Sequence, residues 1–224
     1  MISVLIVDDQ PLIRQAVTAI IEPQGDITVV GQASDGAEAV ALAQQLCPDV
    51  VLMDIRMPGV DGIEATERIC ESPALQATRV LILTTFEEED YVVAALRAGA
   101  SGFLGKGSEP DEIVRAISAV HAGDSLLSPA ATRSLIRRSV FSQGDQAAVA
   151  LIPSPQLETL TERESEVLLM VARGLTNQQI ADALFISPHT AKTHVNRIMA
   201  KVHAHDRAQL VILAYESGLL TPGE

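Results

Sequence analysis

Five polar side chains stand close behind short apolar runs. Asp8 and Asp9 follow Val4–Val7, Asp54 follows Val50–Met53, Thr84 follows Val80–Leu83 and Lys106 follows Gly102–Leu104. If the runs are parallel strands, all five side chains gather beyond the carboxyl edge of one sheet, where open α/β folds bind ligands. One Asp at a strand end is ordinary turn chemistry; the set of five carries the chemical reading. Three carboxylates in one place repel, so a proton or a cation must settle their charge. A hard divalent cation such as Mg²⁺ takes oxygen ligands and keeps several waters. It draws phosphate oxygens, and a neighbouring carboxylate can then attack a phosphoryl group to give an acyl phosphate. Lys106 would offset phosphoryl charge and Thr84 would donate to a phosphoryl oxygen.

The elements that must position these groups alternate. A further β-branched run lies at Ile27–Gly31, and helix-like stretches fall at Pro11–Ile21, Gly36–Leu46, Asp61–Cys70, Glu88–Ala98 and Glu109–Ala122. Asp35 reads as an N-cap, and Ser108-Glu109-Pro110-Asp111 as a capping box with Pro in the first turn. Runs apolar throughout predict strands buried on both faces. Five strands alternating with five helices give a doubly wound five-stranded parallel α/β domain over residues 1–122.

Residues 123–156 are punctuated by Gly, Ser and Pro and read as a linker, with helical spacing at Ala130–Phe141. From Leu157 to residue 220 the pattern is all-helical. Thr161-Glu162-Arg163-Glu164 is a capping box stopped at Gly174; Thr176 opens a second helix, Ser187-Pro188 a third and Asp206 a fourth, ended by Gly218. Four short helices on tight turns predict a small all-α bundle. The second and third have helix-turn-helix spacing.

Composition bounds the function. The chain has 224 residues, 47% hydrophobic and 3% aromatic with no Trp, so its cores are aliphatic and a base-stacking single-strand platform is excluded. The net charge is −13, but nearly all the acidity lies in residues 1–120, with 7 basic and 19 acidic side chains, against 6 and 8 in residues 157–224. A nucleic-acid role for the C-terminal part is therefore not excluded by net charge. Two cysteines, Cys47 and Cys70, make neither a disulfide framework nor a zinc site and read as packed thiols in a reducing compartment. Four His between residues 189 and 205 lack metal-ligand spacing. Ala100–Lys106 misses two of the four fixed positions of a P-loop. No secretory leader or membrane-length apolar stretch is evident, so a cytoplasmic protein is expected.

LIVDDQPLIR, VVLMDIRMPGVDGIEA, LILTTF and AGASGFLGKG together resemble the receiver domain of two-component response regulators, a flavodoxin-like fold. The resemblance implies that Asp54 is the phosphoacceptor and that Asp8, Asp9, Asp54 and the backbone carbonyl of Arg56 hold Mg²⁺. It makes Thr84 and Lys106 the catalytic hydroxyl and ammonium, and Thr84 with Phe103 the switch pair. Thr85 is small and would leave phosphoryl access open. Gly105 and Gly107 depart from the family pattern around Lys106. Arg56 and Phe86, both bulky, would flank an attacking water, so slow self-dephosphorylation is expected.

In the third C-terminal helix, Ala191, Val195, Ile198 and Val202 share one face. The other faces carry His189, Lys192, Thr193, Asn196, Arg197 and Lys201, a locally basic stripe suited to phosphates. LTERESEVLLMVARGLTNQQIADALFISPHTAKTHVNRIMAKV resembles the LuxR-type helix-turn-helix of NarL/FixJ-type regulators. The resemblance implies that Lys192, Thr193 and Asn196 approach base edges, while Thr190, Arg197 and Lys201 hold phosphates. Asn196 can read adenine in a bidentate way. The family usually has Gly near His203, so the helix must end there without it.

Together these readings describe a transcription factor switched by phosphorylation of Asp54 by a sensor histidine kinase. Phosphorylation would favour a homodimer, release of the recognition helix, or both, for a double-stranded DNA operator. It would be no turnover enzyme and would not insert into membranes. A receiver-like regulator controlled without phosphorylation is one rival; its mark would be a broken acidic set. A metal-dependent phosphatase is another, but it wants Asp two residues beyond the nucleophile, where Arg56 stands.

Overall fold

A computed structural model describes residues 1–84, 89–123 and 157–220. Ala130–Phe141, Thr85 and Phe86 lie outside these residues. The chain divides into two compact units, Met1–Leu126 and Leu127–Glu224.

The first unit holds strands β1 (Ile2–Val7), β2 (Ile27–Ala33), β3 (Val50–Asp54), β4 (Arg79–Thr84) and β5 (Gly102–Gly105). They form one parallel sheet in the order β2-β1-β3-β4-β5. Between them run α1 (Pro11–Ile21), α2 (Gly36–Leu46), α3 (Gly62–Glu71) and α4 (Glu89–Arg97), with α5 (Pro110–His121) last. The strand order reverses between β1 and β3, whose carboxyl ends carry Asp8, Asp9 and Asp54. Such a switch point is where this fold binds ligands.

Side chains alternate across a strand. Val4 and Ile6 of β1 join Leu52, Leu81, Leu83 and Leu104 in a core closed by Val17 and Ile21 of α1 and Ile113 and Ile117 of α5. Leu5, Val51, Met53, Val80 and Ile82 are equally buried on the alternate positions. The central strands are thus covered on both faces, as their sequences predict. Strand β2 is not. It lies at the sheet edge, and Thr28, Val30 and Gln32 are exposed. A register shift pairs Val4 with Val29 but Leu5 with Gly31, so Val30 is the extra residue of a bulge. An apolar run cannot distinguish an edge strand from a central one, because composition does not record pairing.

Asp35 and Asp61 cap α2 and α3 by accepting the N–H of Glu38 and Glu64, at 2.9 and 2.8 Å. The expected capping box at Ser108 does not form. Helix α5 starts one residue later, with Glu109 as N-cap, no side-chain cap bond and Pro110 in its first turn. Pro110 fixes the helical φ and has no N–H to satisfy, so the start is set without the box. Cys70 is buried, but Cys47 is exposed. Cys47 ends α2 in the left-handed region at φ 45°, where its side chain turns away from the core.

The second unit contains α6 (Glu162–Ala172), α7 (Asn177–Leu184), α8 (Pro188–Val202) and α9 (Arg207–Glu216). Thr161 and Thr176 make full capping boxes, and Ser187 and Asp206 cap α8 and α9. Val167, Leu168 and Val171 of α6, Ile180 of α7, Val195 and Ile198 of α8 and Leu210 of α9 are buried. No helix among the described residues is long and apolar enough to cross a membrane.

Candidate phosphoacceptor site and nucleic-acid interface

The expected residues converge. Asp8 is fully buried, Asp9 is exposed, Asp54 is 2% exposed and Thr84 is buried. One carboxylate oxygen from each of Asp8, Asp9 and Asp54 lies within 4.8 Å of the others. Asp8 is fixed from both directions. Its Oδ1 accepts the Gln10 N–H at 2.9 Å, and its backbone carbonyl accepts from Arg14 Nη1 at 2.6 Å. Lys106 follows β5 and is placed by donating its N–H to the Thr84 carbonyl at 2.8 Å. Its ammonium then reaches Asp54 Oδ2 at 2.8 Å and Asp8 Oδ2 at 2.9 Å.

One ammonium faces three carboxylates, so the site carries excess negative charge. Burial pushes the Asp54 carboxyl above its usual pKa, as does Asp8, while Lys106 pulls it back only in part. Burial works against the Lys106 charge, yet Asp54 and Asp8 outweigh it and raise its pKa above that of an ordinary lysine. Asp8 Oδ2 is buried and, despite the Lys106 contact, receives no well-aligned hydrogen bond. A buried carboxylate oxygen without a directed donor, beside two further carboxylates, suits a hard divalent cation.

Gly62, at the start of α3, is a positioning residue that motif spacing did not single out. Its N–H donates to the Ile55 carbonyl at 2.8 Å, and a Cβ there would stand 1.9 Å from the Asp54 carbonyl oxygen. Only glycine allows α3 so close to the backbone that carries Asp54. Arg56 is exposed in the loop after β3, with its guanidinium 5.3 Å from the Tyr91 ring centroid. Both line an open cleft of about 470 Å³ with Ile55, Met57 and Asp61. Phe103 is half-buried on β5.

In the second unit, α8 turns Ala191, Val195, Ile198 and Val202 inward, as the spacing predicts. Asn196 and Arg197 are exposed; Thr190, Lys192 and Thr193 are half-buried. The Thr193 hydroxyl donates to the His189 carbonyl at 2.9 Å, and the Thr190 hydroxyl lies 2.8 Å from that of Ser187. Lys201 is ion-paired to Glu164 at 2.6 Å. The helix ends at His203, held at φ 57°.

A doubly wound parallel sheet with this acidic cluster, in one chain with a capped helix-turn-helix bundle, defines a receiver joined to a DNA-binding unit. The receiver domain of response regulators matches residues 4–118, and the LuxR family of bacterial regulatory proteins matches residues 158–214. Over 98% of this chain and 97% of its relative, it is 42% identical to the uncharacterized transcriptional regulatory protein YxjL of Bacillus subtilis. To the transcriptional regulatory protein LiaR of the same organism it is 40% identical, covering 98% of this chain and all of the other. The crystal structure of the response regulator ChrA of a heme-sensing two-component system shares 35% identity, with a TM-score of 0.51 over 98% of each chain. The protein belongs to the two-component response regulators, in the branch that joins a receiver to a LuxR-type helix-turn-helix. It is a transcription regulator with a DNA-binding domain.

Proposed function

We propose that Asp54 accepts a phosphoryl group from a sensor histidine kinase and that this controls operator binding by the helix-turn-helix. The observation that carries the reading is the convergence of Asp8, Asp9 and Asp54, with Lys106 bridging two of them. A carboxylate oxygen of Asp54 attacks phosphorus; the new O–P bond forms as the P–N bond to the donor imidazole breaks, the electron pair returns to the ring nitrogen, and the imidazole leaves neutral by keeping the proton on its other nitrogen or taking one from solvent. Asp8, Asp9 and Asp54, with the Arg56 carbonyl, would hold Mg²⁺, which supplies positive charge to the phosphoryl oxygens. Lys106, already between Asp8 and Asp54, adds a second cation. Thr84, at the end of β4, donates to a phosphoryl oxygen and couples the site to Phe103. The phosphorylated state is selected from existing conformations because it satisfies the new charge. Dimerisation, freeing of α8, or both follow, and the protein works in the cytoplasm as a switch and not as a turnover enzyme.

Intact mass spectrometry with acetyl phosphate and Mg²⁺, then with a histidine kinase as donor, tests this reading. Wild type should gain one phosphoryl group and Asp54→Asn none. Equal gain in both would assign the acceptor elsewhere; no gain from either donor would favour control without phosphorylation.

A further inference from the structure

We infer that Lys201, although it lies on the basic stripe of α8, is a positioning residue that clamps the recognition helix and is not a phosphate contact. The inference rests on α8 being the DNA-reading helix.

The Lys201 ammonium donates to Glu164 Oε2 at 2.6 Å and to the Thr159 carbonyl at 3.1 Å. Glu164 is 6% exposed. The same Oε2 closes the α6 capping box, accepting the Thr161 N–H at 2.8 Å and the Thr161 hydroxyl at 3.0 Å. One buried carboxylate therefore fastens the last turn of α8 to the first turn of α6. The pairing also suits both helix dipoles, with the anion at an N-terminus and the cation at a C-terminus.

Two of the three N–H donors of the Lys201 ammonium are already given to Glu164 and the Thr159 carbonyl, so any phosphate contact that uses more than the third would draw the ammonium off Glu164. That would strand a buried carboxylate, the costly way to break such a pair. Left in place, the pair is locally neutral and offers a phosphate little attraction. Recognition helices also read DNA mainly from their N-terminal part. Lys201 lies nine residues, or about 14 Å, beyond Lys192 along the helix. The clamp instead sets the angle at which Lys192, Thr193 and Asn196 leave the domain surface.

Arg163 and Arg207 are likewise held within the unit. Arg163 pairs with Glu166 at 2.6 Å, and Arg207 donates to Asn177 Oδ1 at 3.0 Å and to the Leu175 carbonyl. Arg197, by contrast, is exposed on α8.

The test uses the full chain and a duplex selected by the wild-type protein from a random-sequence pool. Affinity is measured against salt concentration for wild type, Lys201→Met, Lys201→Arg, Glu164→Gln/Lys201→Met and Arg197→Gln. A lost phosphate contact lowers the magnitude of the log–log salt slope by about 0.9. Lys201→Met should weaken binding severalfold at every salt concentration, with the wild-type slope. Lys201→Arg should restore binding. The double variant should regain part of the loss, because no carboxylate is stranded, and it keeps the test open if Lys201→Met folds poorly. Arg197→Gln should lower the slope. A reduced slope in Lys201→Met and in the double variant would overturn the inference. So would unchanged affinity in a merely less stable Lys201→Met. If Arg197→Gln and Asn196→Ala, measured alongside the others, both bind as wild type, the assignment of α8 as the reading helix fails instead.

Discussion

The ammonium of Lys106 stands 2.8 Å from Asp54 Oδ2, tying the end of β5 to the end of β3. Both side chains are largely buried. Burial weakens solvent screening of the pair, so the cation is held where phosphoryl charge would develop.

Lys106→Met removes that cation from two buried carboxylates. Charged hydrogen bonds contribute about 1.5–3 kcal/mol, which predicts about a ten- to hundredfold slower phosphoryl uptake by mass spectrometry. Stability should also fall, by less than the about 3–5 kcal/mol typical of a broken buried pair, since Asp54 can take up a proton. Wild-type uptake would remove Lys106 from the mechanism.

Asp9 is the exposed member of the acidic cluster, so Asp9→Asn relieves repulsion without emptying a buried position. The variant should be no less stable than wild type without divalent ions. Mg²⁺ at ten times its dissociation constant should stabilise wild type by about 1.4 kcal/mol. Asp9→Asn should need much more Mg²⁺ for the same shift. Equal titration curves would exclude Asp9 as a ligand.

Gly62→Ala sets a Cβ against the Asp54 carbonyl, which as strand backbone cannot retreat. Overpacking of this kind costs about 1–3 kcal/mol, and here it displaces the phosphoacceptor itself. Both Tm and phosphoryl uptake should drop. Gly107→Ala is the control, because a Cβ at Gly107 meets nothing within 4 Å. Loss of Tm with full uptake would show that Asp54 tolerates the shift.

The acidic site was legible in sequence because each of its residues ends a strand or follows one within two residues, and strand ends can be read from hydrophobic runs. Gly62 was not, since nothing local to DGIEA reveals which backbone α3 will meet. The Glu164–Lys201 pair, 37 residues apart, was hidden for a similar reason. Periodicity places Lys201 on a polar face but cannot say that an acid waits opposite. Thr161-x-x-Glu164 was readable as a capping box, whereas the second use of the same carboxylate required the fold.

Lys201 and the Thr161 N–H hold Glu164 at a pKa of about 2, against 4.5 for an unperturbed side chain. Its stabilisation is complete above about pH 4.5 and is lost as pH falls towards 2. Glu164→Gln should therefore be less stable at neutral pH, with the difference closing across that window. Lys201 is more than a third exposed, so solvent screens the pair and about 1–2 kcal/mol is expected. Denaturant midpoints across this pH range measure it; a pH-independent difference would mean the charge is not what matters.

His203 ends the recognition helix at φ 57°, donating its N–H to the Met199 carbonyl. A side chain with a Cβ is strained there, and glycine is not. The gain from His203→Gly is partly offset by the extra freedom of glycine in the unfolded chain, leaving about 0.5–1 kcal/mol of stabilisation. His203→Ala keeps the Cβ and gives up the modest tolerance of His for this region, so it should not stabilise. Slower hydrogen exchange of the α8 amides in the glycine variant alone, measured on the full chain, is the expected result. Equal slowing in both variants would place the strain in the imidazole and not in the backbone.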